Sequence, residues 1–302
     1  DDHSRTSIDA MERDMGRTIA TSSERQLLRP KTGLREISIV LGAVLGWWAV
    51  PQQVRADEGD DLAQQLSNPV ASLISVPLQY NRDENFGPDE RGDVTRLNIQ
   101  PVIPFSLDAD WNLITRTIVP IVGVDDLPAQ GDSEAGLGDI LASQFFSPVA
   151  PTAGGWIWGA GPVWLLPTAT DDTLGAEQFG LGPTGVVLKQ VGPWTYGMLA
   201  NHVWSVFGDE SRADVNATFM QPFLTYITRT KTTFSLNTES SYDWEAEEWS
   251  VPVNIGVSQL LRLGPQILQV QVAARYWADA PDYGPDDWGL RLQLTLLYPE
   301  RR

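Results

Sequence analysis

The stretch Trp288 to Tyr298 alternates strictly between two kinds of side chain. Leu290, Leu292, Leu294, Leu296 and Tyr298 fall on one face of an extended segment, and Arg291, Gln293 and Thr295 fall on the other. Such a strand gives its leucines to a core or to lipid and wets the opposite face. The pattern recurs from residue 70 onward. Ile74, Val76, Leu78 and Tyr80 oppose Ser75, Gln79 and Asn81. Leu97, Ile99, Ile103, Phe105 and Leu107 oppose Arg96, Asn98, Gln100 and Ser106, and Trp111, Leu113, Val119 and Ile121 oppose Asn112 and Arg116. Further on, Phe234, Leu236, Tyr242 and Trp244 oppose Ser235, Asn237, Glu239, Ser241 and Asp243. Trp249, Val251, Val253, Ile255 and Val257 oppose Ser250, Asn254 and Ser258, and Leu268, Val270, Val272 and Tyr276 oppose Gln269, Gln271 and Arg275.

The middle of the chain is less regular. Residues 138–147, 155–167, 179–191, 194–206 and 214–228 read as strands from their Gly, Trp, Phe and Thr content, with their facing left open, that of His202 included. All segments together predict about twelve strands, an even number as in single-chain bacterial barrels.

The connections alternate in length. Long ones span Arg82–Val94, Asp125–Gly136, Thr168–Gln178, Gly208–Ala213, Glu245–Glu248 and Asp279–Asp287. Short ones centre on Asp108–Asp110, Ser147–Gly154, Gly192–Pro193, Arg229–Lys231 and Arg262–Pro265. In an up-and-down barrel alternate turns lie at opposite ends, so all the long loops share one rim. That is the arrangement of an outer-membrane barrel with long extracellular loops and both termini in the periplasm. The fold expected is therefore all-β: a transmembrane, antiparallel, up-and-down barrel over residues 70–302. Pro77, Pro101, Pro104, Pro120, Pro162, Pro183, Pro222 and Pro252 stand against it, because a closed barrel has no edge strand in which to place a residue that cannot donate to the ladder.

The remainder of the chain divides into three. Residues 1–36 read as a disordered leader or as sequence upstream of the true start. Residues 37–56 hold a short apolar run, Ile37 to Val50, after Lys31 and Arg35 and before the small-residue site Val54–Ala56, which is the pattern of a signal peptide cleaved after Ala56. Residues 57–69 are acidic and weakly helical. A periplasmic tail is the preferred reading, with a short plug entering the barrel as the alternative.

Composition sharpens this picture in a few places. The net charge of -18 over 302 residues argues against nucleic-acid binding. No Cys and 2 His exclude a thiol nucleophile and a His/Cys metal centre, so no metal and no cofactor are expected. The excess acid lies in the long loops, where it would attract cations and, through them, lipopolysaccharide. Trp111, Trp156, Trp158, Trp194, Trp204, Trp244, Trp249, Trp277 and Trp288 near strand ends suggest interfacial girdles.

The wording of the chain from residue 68 onward resembles a family. NPVASLISVPLQYN, LNIQPVIPFSL, DWNLITRTIVPI, GLGDI, GGWIWGAGP and LLPTATDD carry the likeness, as do GPWTYGMLANHVWSV, LNTESSYDWEAEEWSVPVNIGVSQLL and RYWADAPDYGPDDWGLRL. These are similar to bacterial outer-membrane transporters of the MetA-pathway of phenol degradation type. The resemblance implies a channel near aromatic catabolism and brings no catalytic residues.

Candidate chemistry is thus that of a pore. Its lumen-lining or selectivity residues are Arg96, Asn98, Gln100, Arg116, Asn237, Glu239, Asp243, Asn254, Gln269, Gln271, Arg275, Arg291 and Gln293. Arg291 and Arg275 sit on the last two strands, with Glu239 or Asp243 as the expected carboxylate partner. Bracing of the lumen and selectivity both remain open as roles. The function expected is passive passage of small molecules, aromatic or hydrophobic compounds among them, across the outer membrane of a Gram-negative bacterium. The expected partners are outer-membrane lipid and lipopolysaccharide, the barrel-assembly machinery, which would read Tyr298, and an unidentified small-molecule cargo. A non-transporting barrel with a structural or surface role is the competing class. A barrel lipid hydrolase, using Asn201, His202 and Ser205, is the remote third.

Overall fold

A computed structural model describes residues 56–87 and 89–298. The leader and the signal-peptide reading, up to residue 55, lie outside the described residues. The elements in chain order are a helix, α1 (Ala56–Leu66), and sixteen strand segments. These are β1 (Ile74–Phe86), β2 (Gly92–Ile99), β3 (Val102–Ser106), β4 (Trp111–Asp125), β5 (Ser133–Leu137), β6 (Ile140–Pro148), β7 (Trp156–Leu166) and β8 (Gln178–Val191). They continue as β9 (Trp194–Gly208), β10 (Asn216–Ile227), β11 (Thr232–Thr238), β12 (Ser240–Asp243), β13 (Glu248–Ser250), β14 (Pro252–Leu263), β15 (Gln266–Trp277) and β16 (Trp288–Tyr298).

Every strand pairs antiparallel with its neighbour, and β16 returns to β1, with Leu78 opposite Leu294 and Asn81 opposite Arg291. Four pairs of segments (β2 with β3, β5 with β6, β11 with β12, β13 with β14) are each one wall strand with an interruption, so the sixteen segments make a closed barrel of twelve strands. Closure leaves no edge.

The prolines explain the interruptions. Pro101 separates β2 from β3, and Pro120 faces the gap between β5 and β6, where its carbonyl accepts from Gly138 at 2.9 Å. Pro252 follows the break between β13 and β14 and lies opposite Glu239, at the break between β11 and β12. Pro162 and Pro183 face each other across β7 and β8, and the flanking ladders skip them. Gly161 and Gly182 precede them because the neighbouring backbone comes too close for a side chain: a Cβ at Gly182 would collide with the carbonyl oxygen of His202. The tension posed by the prolines is thus resolved by local breaks in the ladder.

Which face is inward follows from an inversion of the usual burial. Arg291 is 3% exposed and Arg275 5%, whereas Ile255 is 59% exposed and Leu236 44%. A wall that hides its arginines and shows its isoleucines is built for lipid outside and polar groups inside. Exposed aromatics mark both ends of this apolar surface. Trp111, Trp156, Trp158, Trp194 and Tyr196 lie toward the end that carries the termini, and Trp204, Trp244, Trp249, Tyr276 and Trp288 toward the other. Among the described residues no helix is long and apolar enough to cross a membrane.

Residues 87, 89–91, 126–132, 167–177, 209–215, 244–247 and 278–287 form one rim, and the other rim is built of tighter connections. The expected first loop, Arg82–Val94, needs correction. β1 runs on to Phe86 and β2 begins at Gly92, so Asp83 is a wall residue.

The segment 56–73 packs inside the terminus-side end of the barrel and is called the plug below. α1 ends at Leu66 because Asn68 precedes Pro69, and the Asn68 carboxamide instead accepts from the Val70 N–H at 3.0 Å. Leu62, Ala71 and Leu73 pack on the inward Leu260, Ile267 and Leu297. Val70 packs on Ile114, Phe145, Val186, Leu188 and Leu199 from the opposite wall. Gln64 donates to the Gly192 carbonyl at 3.2 Å and accepts from Gln190 at 2.9 Å. Burial of each of Leu62, Val70 and Leu73 contributes roughly 1.5–3 kcal/mol relative to exposure.

Candidate functional site

A layer of ion pairs spans one side of the lumen, from β1 round to the break between β11 and β12. Arg291, from β16, grips Glu239 with both terminal nitrogens, at 2.8 Å to Oε1 and 2.6 Å to Oε2. Its Nε donates to Asn81 on β1 at 2.7 Å. Arg275, from β15, reaches Glu239 Oε2 at 3.0 Å and Asp83 Oδ1 at 3.0 Å. Trp277 donates its indole N–H to the same Asp83 oxygen at 3.0 Å and lies under the Arg275 guanidinium, whose carbon is 4.7 Å from the ring centroid. Each arginine therefore meets a carboxylate in fork geometry or through shared oxygens, which is how buried charge is made tolerable.

An amide network continues from this layer around the wall. Gln79 Oε1 accepts from Gln100 at 3.1 Å and Asn98 at 3.3 Å, while its own N–H reaches Gln293 at 3.1 Å. Gln100 in turn accepts from Arg116 at 2.8 Å. On the next strands Asn254 donates to Asn237 at 2.9 Å and Gln271 to Ser235 at 3.1 Å.

Two cavities flank the layer. On the loop side a vestibule of about 510 Å³ is bounded by Arg96, Glu239, Arg275, Trp277 and the loop residues Thr173, Leu174 and Pro281. On the plug side a cavity of about 250 Å³ is bounded by Arg116, Gln79, Gln269, Gln271 and Gln293 and closed below by Gln65 to Pro69. Glu239 borders both. Arg96 faces inward, opposite Asn81, yet is exposed and makes no hydrogen bond or ion pair among the described residues. The lumen is open around it.

The residues chosen from sequence are distributed as follows. Arg116, Glu239, Arg275 and Arg291 form or adjoin the ion-pair layer, with Asn98, Gln100 and Gln293 in the attached network. Asn237, Gln269 and Gln271 line the plug-side cavity, Asn254 is buried against Asn237, and Arg96 projects into the vestibule. Asp243 stands apart: it is exposed and accepts from the Glu245 and Ala246 N–H groups in the turn that follows, at 2.9 and 3.1 Å. The partner of Arg291 is Glu239.

Sequence reasoning missed Gln79, Asn81, Asp83 and Trp277, as well as Gln221, whose carboxamide donates to Glu239 Oε1 at 3.4 Å. The inward phase of β1 signalled the first two, and continuing that phase two residues further reaches Asp83. Trp277 corrects the girdle assignment, because it shares the inward phase of Arg275.

The lumen is lopsided. Most of the charged and amide groups come from β1, β2, β4, β11 and β14 to β16 and from the breaks after β2 and β11, whereas β6 to β9 turn Phe145, Val163, Val186, Leu188 and Leu199 inward. The hydrolase grouping does not assemble. His202 lies on the outer face, with its Nδ1 at 2.7 Å from Thr218 Oγ1 and its ring against Trp204, while Ser205 donates to Asp214 at 2.9 Å. Among the described residues no group of acidic side chains and histidine is placed to hold a metal ion.

Neither a protein-family model nor a curated protein sequence matches the chain. Solved structures do. An outer-membrane channel of Pseudomonas putida aligns over 75% of this chain and 96% of its own, with a TM-score of 0.59 at 14% identity. The NanC porin covers 75% of this chain and 100% of its own, with a TM-score of 0.46 at 10% identity. Outer membrane phospholipase A from Escherichia coli covers 82% of this chain and 99% of its own, with a TM-score of 0.43 at 13% identity. Only the first of these is similar enough to weigh, and at that identity what is shared is the fold. What the chain shares with that channel is the fold, an antiparallel barrel, here closed with twelve strands.

Proposed function

We propose that this protein is a channel for the passive passage of small molecules across the outer membrane. The observation that carries the reading is the pair of cavities on either side of the Glu239 layer, with Arg96 exposed inside the barrel. A lumen meant only as a packed core would fill these volumes with side chains. The half-apolar, half-polar wall suits cargo with an apolar body, and the likeness to transporters of the phenol-degradation type supports aromatic compounds among such cargo. The outward aromatic belts suit contact with membrane lipid and the acidic loop rim suits lipopolysaccharide through divalent cations, with Tyr298 as the aromatic that the assembly machinery would read.

Planar-bilayer recording of the refolded protein tests the reading. Discrete conductance steps are expected, enlarged when residues 57–68 are removed. A second reading, a non-transporting barrel, is favoured by the packing of Leu62, Val70 and Leu73 at the terminus-side end. Absence of conductance with and without that segment would establish it in place of the channel.

A further inference from the structure

The plug-side cavity has a chemistry of its own. Arg116 lines it, and the one hydrogen bond this guanidinium makes to described residues is the 2.8 Å contact with Gln100. Arg291 also lines the cavity, but its forked bond to Glu239 occupies it. Glu239, the carboxylate at the cavity's edge, is in turn held by Arg291 and Arg275 together. Among the described residues, Arg116 is thus left without an anion of its own. Thr225 adds a buried hydroxyl that has no hydrogen-bond partner among the described residues and borders the same space. The rest of the boundary includes Leu66, Leu73, Val102 and Phe223, which offer apolar surface.

The geometry points to this cavity as a binding site for a small monocarboxylate with an apolar body, the carboxylate anchored on Arg116. The inference rests on the reading of the lumen as a path for cargo and names the class of cargo. A guanidinium with free N–H groups in fork geometry accepts a carboxylate through two parallel hydrogen bonds. The apolar body then rests on Leu66, Leu73, Val102 and Phe223. An apolar cavity of about 150 Å³ already takes up benzene, so about 250 Å³ has room for a ring and its carboxylate. A dianion would carry one charge with no counterpart here, and a neutral molecule would leave Arg116 unmatched.

Isothermal titration of the full chain in detergent, with benzoate against its neutral isostere benzamide, tests the site. Saturable binding of benzoate and much weaker binding of benzamide are expected. Arg116→Gln should weaken benzoate by at least about tenfold, the scale of losing hydrogen bonds to a charged group, whereas Arg116→Lys should retain most of the affinity. Val102→Phe, which fills the cavity without touching a charge, should abolish benzoate binding and keeps the test open if Arg116→Gln fails to fold. Equal binding of the two ligands, or unchanged benzoate affinity in Arg116→Gln or Val102→Phe, overturns the proposal. Lost binding with intact bilayer conductance removes the site and leaves the channel; intact binding without conductance removes the channel and leaves the site.

Discussion

Arg291 and Glu239 are joined by two hydrogen bonds of 2.8 and 2.6 Å across the inside of the barrel, although fifty-two positions separate them in the chain. The pair ties the closing strand to the wall three strands away, and Arg275 shares the same carboxylate from β15, one of the two wall strands between. Glu239→Gln leaves Arg291 with Asn81 as its remaining partner and Arg275 with Asp83. Breaking a buried pair from one side costs about 3–5 kcal/mol. A urea unfolding midpoint that falls accordingly is expected; an unchanged midpoint would show that lumen water already solvates the arginines.

Much of this was legible in the sequence and some was not, for reasons that can be named. The C-terminal strands read cleanly because one face meets lipid and the other meets polar lumen, as at Leu292 and Arg291. The middle strands did not, because Val186, Leu188 and Leu199 face inward against Val70 and the far wall. With both faces apolar, the period of two disappears. Asp83 was hidden by its neighbours: in the run Arg82-Asp83-Glu84-Asn85 an acid reads as loop, and only the register with Val94 shows that the wall continues. Leu62 and Leu66 were obscured in the same way by the acidic residues before them.

The plug is held by a few apolar side chains and is the part most easily displaced. Leu62→Asp places a charge against Leu260, Ile267 and Leu297. Charge burial without a partner is unfavourable by several kcal/mol, so the segment should leave its seat. Larger single-channel currents and faster proteolysis near residue 62 are expected, while the thermal stability of the barrel stays close to wild type. Currents and proteolysis identical to wild type would contradict the plug's role as a closing element.

Gly182 tests the account of the prolines in the wall. A Cβ there meets the backbone of His202, which cannot move without opening the ladder between β8 and β9. Gly182→Ala should destabilise the barrel by about 1–3 kcal/mol, the usual scale of overpacking. Gly185→Ala, on the same strand, meets nothing nearer than the Gly159 carbonyl oxygen at 3.7 Å and should be nearly neutral. Equal unfolding midpoints for the two variants would remove the close-approach explanation.

Two loop carboxylates should titrate below their ordinary range. Thr173 donates to Asp171 from its hydroxyl at 2.7 Å and its N–H at 2.9 Å, and Ser211 does the same for Asp209, holding both carboxyls below 3.8. A depressed folded pKa means that the stabilisation is complete above the unfolded value and is lost as pH falls through the folded one. Thr173→Val should return Asp171 towards 3.8, read from carboxyl carbon shifts in an NMR titration. An unchanged titration would show that the hydroxyl bond does not form in solution.

In a conducting barrel, current runs through this lumen, past Arg96. The chain has no Cys, so Arg96→Cys introduces a single thiol at an exposed, inward position. A bulky charged methanethiosulfonate reagent added during planar-bilayer recording should then lower the single-channel current stepwise, with full recovery on reduction and no effect on the unsubstituted protein. Currents that ignore modification of that thiol would contradict the account.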